Sequence, residues 1–224
     1  THSSHIVADS DFDDIKYLKK QDDNGVVAKN LKDLKKDYEK GTNQYQFLTQ
    51  YLTISRAEIF FAEKAIMIEG DTERILIPTL MCKVDIDEKK RLTEEGAQND
   101  FLPLLSQHIS IIEVGAYAHI FEKFIDFLGI KALIITDLDA VDAGNTACEV
   151  ADGVSYSNAA LSFFFGAATL ANLRGYNLAN KCFNKVAEVW QNTADGKLCV
   201  VYQIDDEGYN ARSFEDAYIH INKP

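Results

Sequence analysis

Four carboxylates are placed where chemistry could be done. Glu69 closes the apolar run Ala65-Ile66-Met67-Ile68, Gly70 follows, and Glu73 lies four residues beyond Glu69. Asp137 and Asp139 flank Leu138 one residue beyond a second apolar run, Leu133-Ile134-Ile135. An ExxxE alone is common on helices, and strand-end acids also cap helices and brace loops. Here Glu69 ends an apolar strand, a less usual place for such a Glu, and a DxD at a strand end is a common Mg²⁺ or Mn²⁺ device. Side chains alternate along an extended segment, so Asp137 and Asp139 are expected on one side and Leu138 in the core. Carboxylates converging with no Lys or Arg among them repel, and hard divalent cations prefer oxygen ligands. Two such ions about 3.5–4 Å apart would neutralise the acids, activate water and stabilise the leaving oxygen of a phosphodiester. The pattern points to phosphoryl transfer with two Mg²⁺ or Mn²⁺ ions.

The elements needed to position these acids can be read from the chain. Residues 65–68, 109–114 and 131–136 are expected strands, and residues 197–204 a last one. A helix with Ile75, Leu76, Leu80 and Met81 buried follows the first strand, capped by Asp71 or Thr72. Another, with Ile120, Phe121, Phe124, Ile125 and Leu128 on one side, follows the second and ends at Gly129. Gly70 is expected to permit a tight turn or the close approach of a ligand. Strands alternating with helices predict an α/β fold, a parallel sheet flanked by helices, with sites outside the carboxyl ends of the strands. Residues 1–27 look irregular. Residues 28–53 read as helical on the stripe of Leu31, Leu34, Tyr38, Phe47, Leu48, Tyr51 and Leu52, with Gly41 as a break. Residues 140–157 read as a loop and 158–193 as helical, with Phe163-Phe164-Phe165 and Trp190 as core. A turn at Asp205-Asp206-Glu207-Gly208 precedes a helix beginning near Ser213.

The composition sets limits. The 224 residues carry a net charge of −12, which argues against a general nucleic-acid-coating surface but leaves room for a nuclease whose acids hold cations. The lysines of residues 16–40 are interleaved with acids and read as a solvated face, with phosphate contact as the alternative. Cys82, Cys148, Cys182 and Cys199 lack CxxC spacing. That argues against zinc and against a disulfide framework, and for a cytoplasmic protein with reduced thiols. No apolar run approaches the roughly 20 residues of a membrane span. The first residues are polar and include no initiator Met, so a fragment of a longer chain is expected.

These motifs carry a family resemblance. Ile66-Met-Ile-Glu-Gly-Asp-Thr-Glu-Arg-Ile-Leu-Ile-Pro78, then Val114-Gly115, then Ile134-Ile-Thr-Asp-Leu-Asp139 resemble a Toprim domain. The EGxTE-R-x-L-x-P form and Gly115-Ala-Tyr-Ala-His-Ile-Phe121 are most similar to the OLD (overcoming lysogenization defect) family of ATP-dependent endonucleases. Thr1-His-Ser-Ser-His-Ile6 resembles the switch-histidine segment that closes the family's ATPase domain, with His2 as the switch residue. Ala211-Arg-Ser-Phe-Glu-Asp-Ala217 resembles its distal metal-binding segment. The resemblance implies residues 1–58 as the end of an ATPase domain and a helical linker. It implies residues 59–224 as a Toprim catalytic domain with a helical insertion at about 140–195. Glu69 would then hold one metal, and Glu73, Ser213 and Glu215 the second. Asp137 would sit between them, Asp139 would support one, and Arg212 would meet DNA phosphate or hold a carboxylate. DNA as substrate, a homo-oligomer and a role in phage defence or repair are likewise implied by the resemblance alone.

The chain departs from the family in two ways. No GxxxxGK[ST] loop is present, so ATP would act only through a missing ATPase domain. The family's lysine after the distal segment has no evident counterpart, because Lys223 follows too closely. Other readings are a Toprim module of a primase or topoisomerase, and a non-catalytic assembly module whose acids only brace loops. His108, His119 and His220 read as surface or packing residues, and Asp205, Asp206 and Glu207 as a solvated turn with some claim on the site.

Overall fold

The computed structural model describes residues 3–21, 24–38 and 43–223; His2, Lys40 and Gly41 lie outside them. The chain opens with helix α1 (Ser4–Ala8), the hairpin β1 (Lys16–Lys20) and β2 (Val26–Asn30), and helix α2 (Gln44–Ser55). Strand β3 (Lys64–Ile68), the long helix α3 (Asp71–Glu94), β4 (Ile109–Glu113), α4 (Glu122–Leu128) and β5 (Lys131–Ile135) follow. Then come β6 (Ala140–Val141), β7 (Ser155–Tyr156), α5 (Ala159–Phe165), α6 (Leu170–Gly175), β8 (Cys182–Val186) and β9 (Val189–Asn192). The last elements are β10 (Leu198–Val201), β11 (Asp205–Asp206), β12 (Tyr209–Asn210) and α7 (Phe214–Ile221).

Six strands form one sheet in the order β4-β3-β5-β10-β8-β9. The first four are parallel, and β8 and β9 extend the edge antiparallel. The expected α/β, Toprim-like sheet flanked by helices is therefore present. Apolar residues alternate along β3 and divide between two cores. Ala65 and Met67 pack with Ile112, Phe121, Phe124 and Leu128 on the α4 face. Ile66 and Ile68 pack with Ile77, Met81 and Ile135 on the α3 face. A helix on each face explains why these strands read as continuous apolar runs. Gly129 ends α4 at φ 63°, a left-handed position that favours glycine, and its N–H donates to Ile125 O at 2.8 Å.

Several expectations need correction. Residues 28–53 are not one helical stretch. Leu31 and Leu34 are buried on a short 3-10 segment, Leu31–Lys36, and α2 begins only at Gln44. Residues 1–27 are not irregular but hold α1, β1 and the start of β2. The lysines there are not simply a solvated face. Lys19 donates to Leu128 O at 2.9 Å, and Lys29 donates to Phe127 O. Both therefore cap the C-terminal carbonyls of α4, where a positive charge is favourable. Residues 158–193 are helical only as far as Lys181, after which β8 and β9 extend the sheet. Of the expected buried face of α3, Met81 is buried and Leu80 packs beside it, but Ile75 is 65% exposed and Ile77 takes its place.

The β8–β9 hairpin is tied to α4 through a buried acid. Glu122 accepts from Trp190 Nε1 at 2.7 Å and lies 3.5 Å from Lys185 Nζ, which also meets Asp126 and Glu188. Among the described residues no helix is long and apolar enough to cross a membrane. Replacing Glu122 by Ala leaves the indole N–H and a nearly buried ammonium short of an acceptor. A loss of about 2–3 kcal/mol is expected, at the low end for breaking a buried pair because Lys185 keeps two other acids. Urea unfolding followed by Trp190, the chain's single tryptophan, reads this directly. A loss under about 0.5 kcal/mol, the level of an ordinary surface change, would show that the hairpin is held in another way.

Candidate metal centre

After β3 the chain turns toward β4, and after β5 it continues toward β10. These neighbouring strands thus send the chain in opposite directions, and a crevice opens at their carboxyl ends. Glu69 follows β3 directly. Its Oε1 accepts from Asp137 N at 3.1 Å, from Asn158 Nδ2 at 3.1 Å and from the Thr136 hydroxyl. Glu73 is 2% exposed in the first turn of α3 and accepts from Gly70 N at 3.2 Å. Gly70, not Asp71 or Thr72, is therefore the cap residue. Its φ of −151° does not require glycine, and an added Cβ would meet only Glu73 Oε2 at 3.7 Å. The tight-turn expectation fails, and a side chain at this position would fit in ordinary contact. Burial pushes the Glu73 carboxyl up, and the charges of Glu215 and Glu69 add to that.

Asp137 is held by Gln203 Nε2 at 2.7 Å and by Phe214 N, the first helical N–H of α7, at 2.9 Å. Burial, then the Glu69 charge, pushes its pKa up to about 7. Asp139 reaches the crevice differently from the alternation expected of a strand. Strand β5 stops at Ile135, and Asp139 sits at φ 48°, a left-handed position that Asp tolerates. Its Oδ2 accepts from Asn158 Nδ2 at 3.3 Å, and its Oδ1 lies 3.3 Å from Arg212 Nη2. A cation is therefore present at the rim, contrary to the expectation of none. Arg212 also donates from Nε to Ala140 O at 3.3 Å. Leu138 is fully buried, as expected.

The third segment joins at α7. Ser213 caps it, accepting from Asp216 N at 3.3 Å and donating to Glu215 Oε2 at 3.1 Å. Glu215 is held below the usual carboxylate range by its own backbone N–H, by the Thr72 hydroxyl and by Ser213. Thr72 lies in the first turn of α3, so this contact joins α7 to the Glu73 end of the site. The structure thus gathers Glu69 and Asp139 around Asn158 and ties Asp137 to Glu69 through its backbone N–H, with Glu73, Ser213 and Glu215 alongside. As placed, no three acids, histidines or cysteines among the described residues close into a ready ligand cluster. The chemistry of the donor set nonetheless suits hard cations. It consists of carboxylate oxygens with a hydroxyl, and burial and mutual repulsion raise both Asp137 and Glu73.

Sequence reading missed Asn158, Thr136 and Gln203 as site residues. Asn158 is 2% exposed; its Oδ1 caps α5 by accepting from Leu161 N at 3.1 Å while its Nδ2 faces the acids and donates to Thr136 Oγ1 at 2.9 Å. The cap position before Ala159-Ala160-Leu161 was a legible signal for the first role, and nothing local announced the second. His119 lies away from the acids, 6.0 Å from the Phe163 ring. Phe163 is 47% exposed and only Phe164 of the three phenylalanines is fully core. His220 stacks on Tyr209 and meets Asp206, while Asp205 serves its own turn through Gly208 N and Asn210 Nδ2.

Two measurements test this arrangement. Without divalent ions, the folded chain binds the Asp137 proton more tightly than the unfolded chain, whose Asp titrates near 4. The stability this contributes is complete below about pH 4 and is lost as pH rises through about 7. In EDTA the thermal midpoint should fall across that window, and Asp137→Asn should flatten the fall; an identical slope in the variant would contradict the burial. Asn158→Ala removes a helix cap and a buried donor to two carboxylates. A loss of about 2–3 kcal/mol is expected by denaturant unfolding, and a neutral result would mean that the network does not brace the acids.

Known proteins were compared with the chain. Residues 60–139 match the family model for the overcoming lysogenization defect protein-like TOPRIM domain. Endonuclease GajA of Bacillus cereus (strain HuB5-5) is 26% identical over 234 residues, covering 99% of this chain and 30% of that protein. The chain thus spans 30% of the length of the curated relative it matches. No solved structure matches. The family match runs from the approach to β3 through Asp139, so it contains Glu69, Glu73, Asp137 and Asp139 and stops short of Arg212, Ser213 and Glu215. Residues 60–139 of this chain are thus similar to the OLD-like Toprim domain.

Proposed function

We propose that this chain is the metal-dependent catalytic part of a DNA endonuclease. The observation that carries the reading is the meeting of Glu69 and Asp139 on the buried Asn158 amide at the β3/β5 crevice, with Asp137 joined to Glu69 through its backbone N–H and Glu73 and Glu215 beside them. The endonuclease name of the relative supports it. In this reading Glu69 holds one divalent ion, Mg²⁺ or Mn²⁺, and Glu73, Ser213 and Glu215 hold a second. Asp137 would serve both ions and Asp139 would support one. Two such ions, when bound, would activate water and stabilise the leaving oxygen of a phosphodiester. The chain's own part is to aim the carboxylates. Asn158 and Thr136 orient Glu69, and Gln203 and the α7 N-terminus fix Asp137. Arg212 is placed to meet DNA phosphate at the rim. ATP would act through a separate ATPase domain, of which residues 1–58 form the end, in a homo-oligomeric assembly. These last points rest on the family resemblance.

Supercoiled plasmid with Mg²⁺ or Mn²⁺ tests the reading. Nicked or linear product is expected, lost in EDTA. Glu69→Gln and Asp137→Asn, which nearly preserve shape, should each lower the rate at least about a hundredfold, the scale of losing a group that stabilises the transition state. Relaxed, covalently closed circles would point to a topoisomerase instead. Cutting that survives both substitutions would end the nuclease assignment to this site.

A further inference from the structure

A cavity of about 430 Å³ opens beside the acids, between the loop at residues 147–151, the end of α6, the β11–β12 hairpin and the start of α7. Arg174, Arg212, Cys148 and Ser213 line it. Two of these residues reach the metal centre directly: Arg212 meets Asp139, and Ser213 meets Glu215. The volume lies in the range of pockets that hold small ligands, large enough for one nucleotide unit.

The charge distribution gives the cavity its character. The chain is strongly acidic, with a net charge of −12 and arginines only at positions 56, 74, 91, 174 and 212. Arg74 is paired with Asp71 and Glu113, and Arg91 with Glu88 and Glu95. Arg174 is different. Among the described residues it has no carboxylate within ion-pair distance, and its Nε donates to Asn210 Oδ1 at 3.3 Å. Its terminal nitrogens are left for a ligand, and a guanidinium fork matches a phosphate in two hydrogen bonds. Two carboxylates also line the cavity. Asp216 is occupied by Arg212 N at 2.9 Å and by the Tyr209 hydroxyl at 2.7 Å, whereas Glu149 is exposed and can turn to solvent. Two of five arginines thus open on one hollow, which Arg212 and Ser213 link to the acid cluster.

We infer that this cavity binds a non-scissile phosphate of the DNA strand, gripped by Arg174, with Arg212 standing between that phosphate and the metal centre. This deepens the nuclease reading and rests on it. The acids repel DNA, so an uncut phosphate must be anchored nearby to hold the scissile one over them. Arg174 supplies binding and no chemistry.

The test uses the protein carrying Glu69→Gln, so that DNA is bound without being cut, and a fluorescein-labelled duplex oligonucleotide followed by anisotropy over a salt series. Adding Arg174→Ala should weaken binding by about tenfold and reduce the salt slope by about 1, as expected for one lost phosphate contact. Arg174→Glu should weaken it further, and Arg174→Lys should restore part of it. In the cutting protein, Arg174→Ala should raise KM more than it lowers kcat. Cys148 gives an independent readout, because saturating oligonucleotide should slow its alkylation by a maleimide while leaving Cys82, which is exposed, unaffected. Unchanged affinity in both Arg174→Ala and Arg174→Glu, with Cys148 labelled at the same rate, would overturn the proposal. If the parent protein leaves plasmid intact, the nuclease reading fails, and the binding series still decides the cavity. If it cuts and the Arg174 variants bind like the parent, the cavity alone is wrong.

Discussion

Negative charges gathered in a partly buried crevice oppose both their own burial and one another. Asp137 shows the size of the conflict, since burial and the Glu69 charge together push its pKa up to about 7. Much of the surrounding structure can be understood as an answer to that conflict. Neutral donors hold the oxygens in place: Asn158, Thr136, Gln203 and the backbone N–H groups of Asp137 and Phe214. A dipole orients a carboxylate without cancelling its charge, so the crevice keeps its attraction for cations. Among the described residues, a full positive charge meets these acids at the rim, where Arg212 contacts Asp139.

Donors can be aimed in this way only from a rigid frame. The parallel strands bring Glu69 and Asp137 side by side, and the helices on both faces fix the sheet's position. The frame is braced far from the acids. Lys19 and Lys29 close the end of α4, and Glu122 ties its start to Trp190 on the far hairpin. Helix α7 bridges the two, because its first N–H holds Asp137 and its Glu215 reaches Thr72 on α3.

The parts of this arrangement visible in the sequence were those governed by local rules. Apolar runs of four to six residues gave the central strands, and Gly129 gave the end of α4. What was hidden depended on partners distant in the chain or on turns without their usual residues. The β8–β9 hairpin turns at Ala187-Glu188, both with positive φ, where Asn-Gly is the common signal. Strands β1 and β2 place half-buried lysines where apolar residues would mark a strand. Glu69 and Asp137 could be named because each ends an apolar run. Asn158 could not, because its second role exists only once Glu69, 89 positions earlier in the chain, has been brought beside it.

The connection from Asp139 to Asn158 leaves and returns at nearly one point. Ser157 N donates to Asp139 O at 3.1 Å, and the Asn158 amide reaches the Asp139 carboxylate. Its two ends are fastened to each other and to the site, so its length is not set by the sheet. Doubling such a loop costs only about 0.6 kcal/mol in closure entropy. The stretch between, which contributes residues 147–151 to the neighbouring cavity wall, is therefore where related chains can gain or lose residues without moving an acid. Variation there would reshape what the protein grips and leave the reactive oxygens undisturbed, so that preference for a substrate could diverge while the chemistry stays constant.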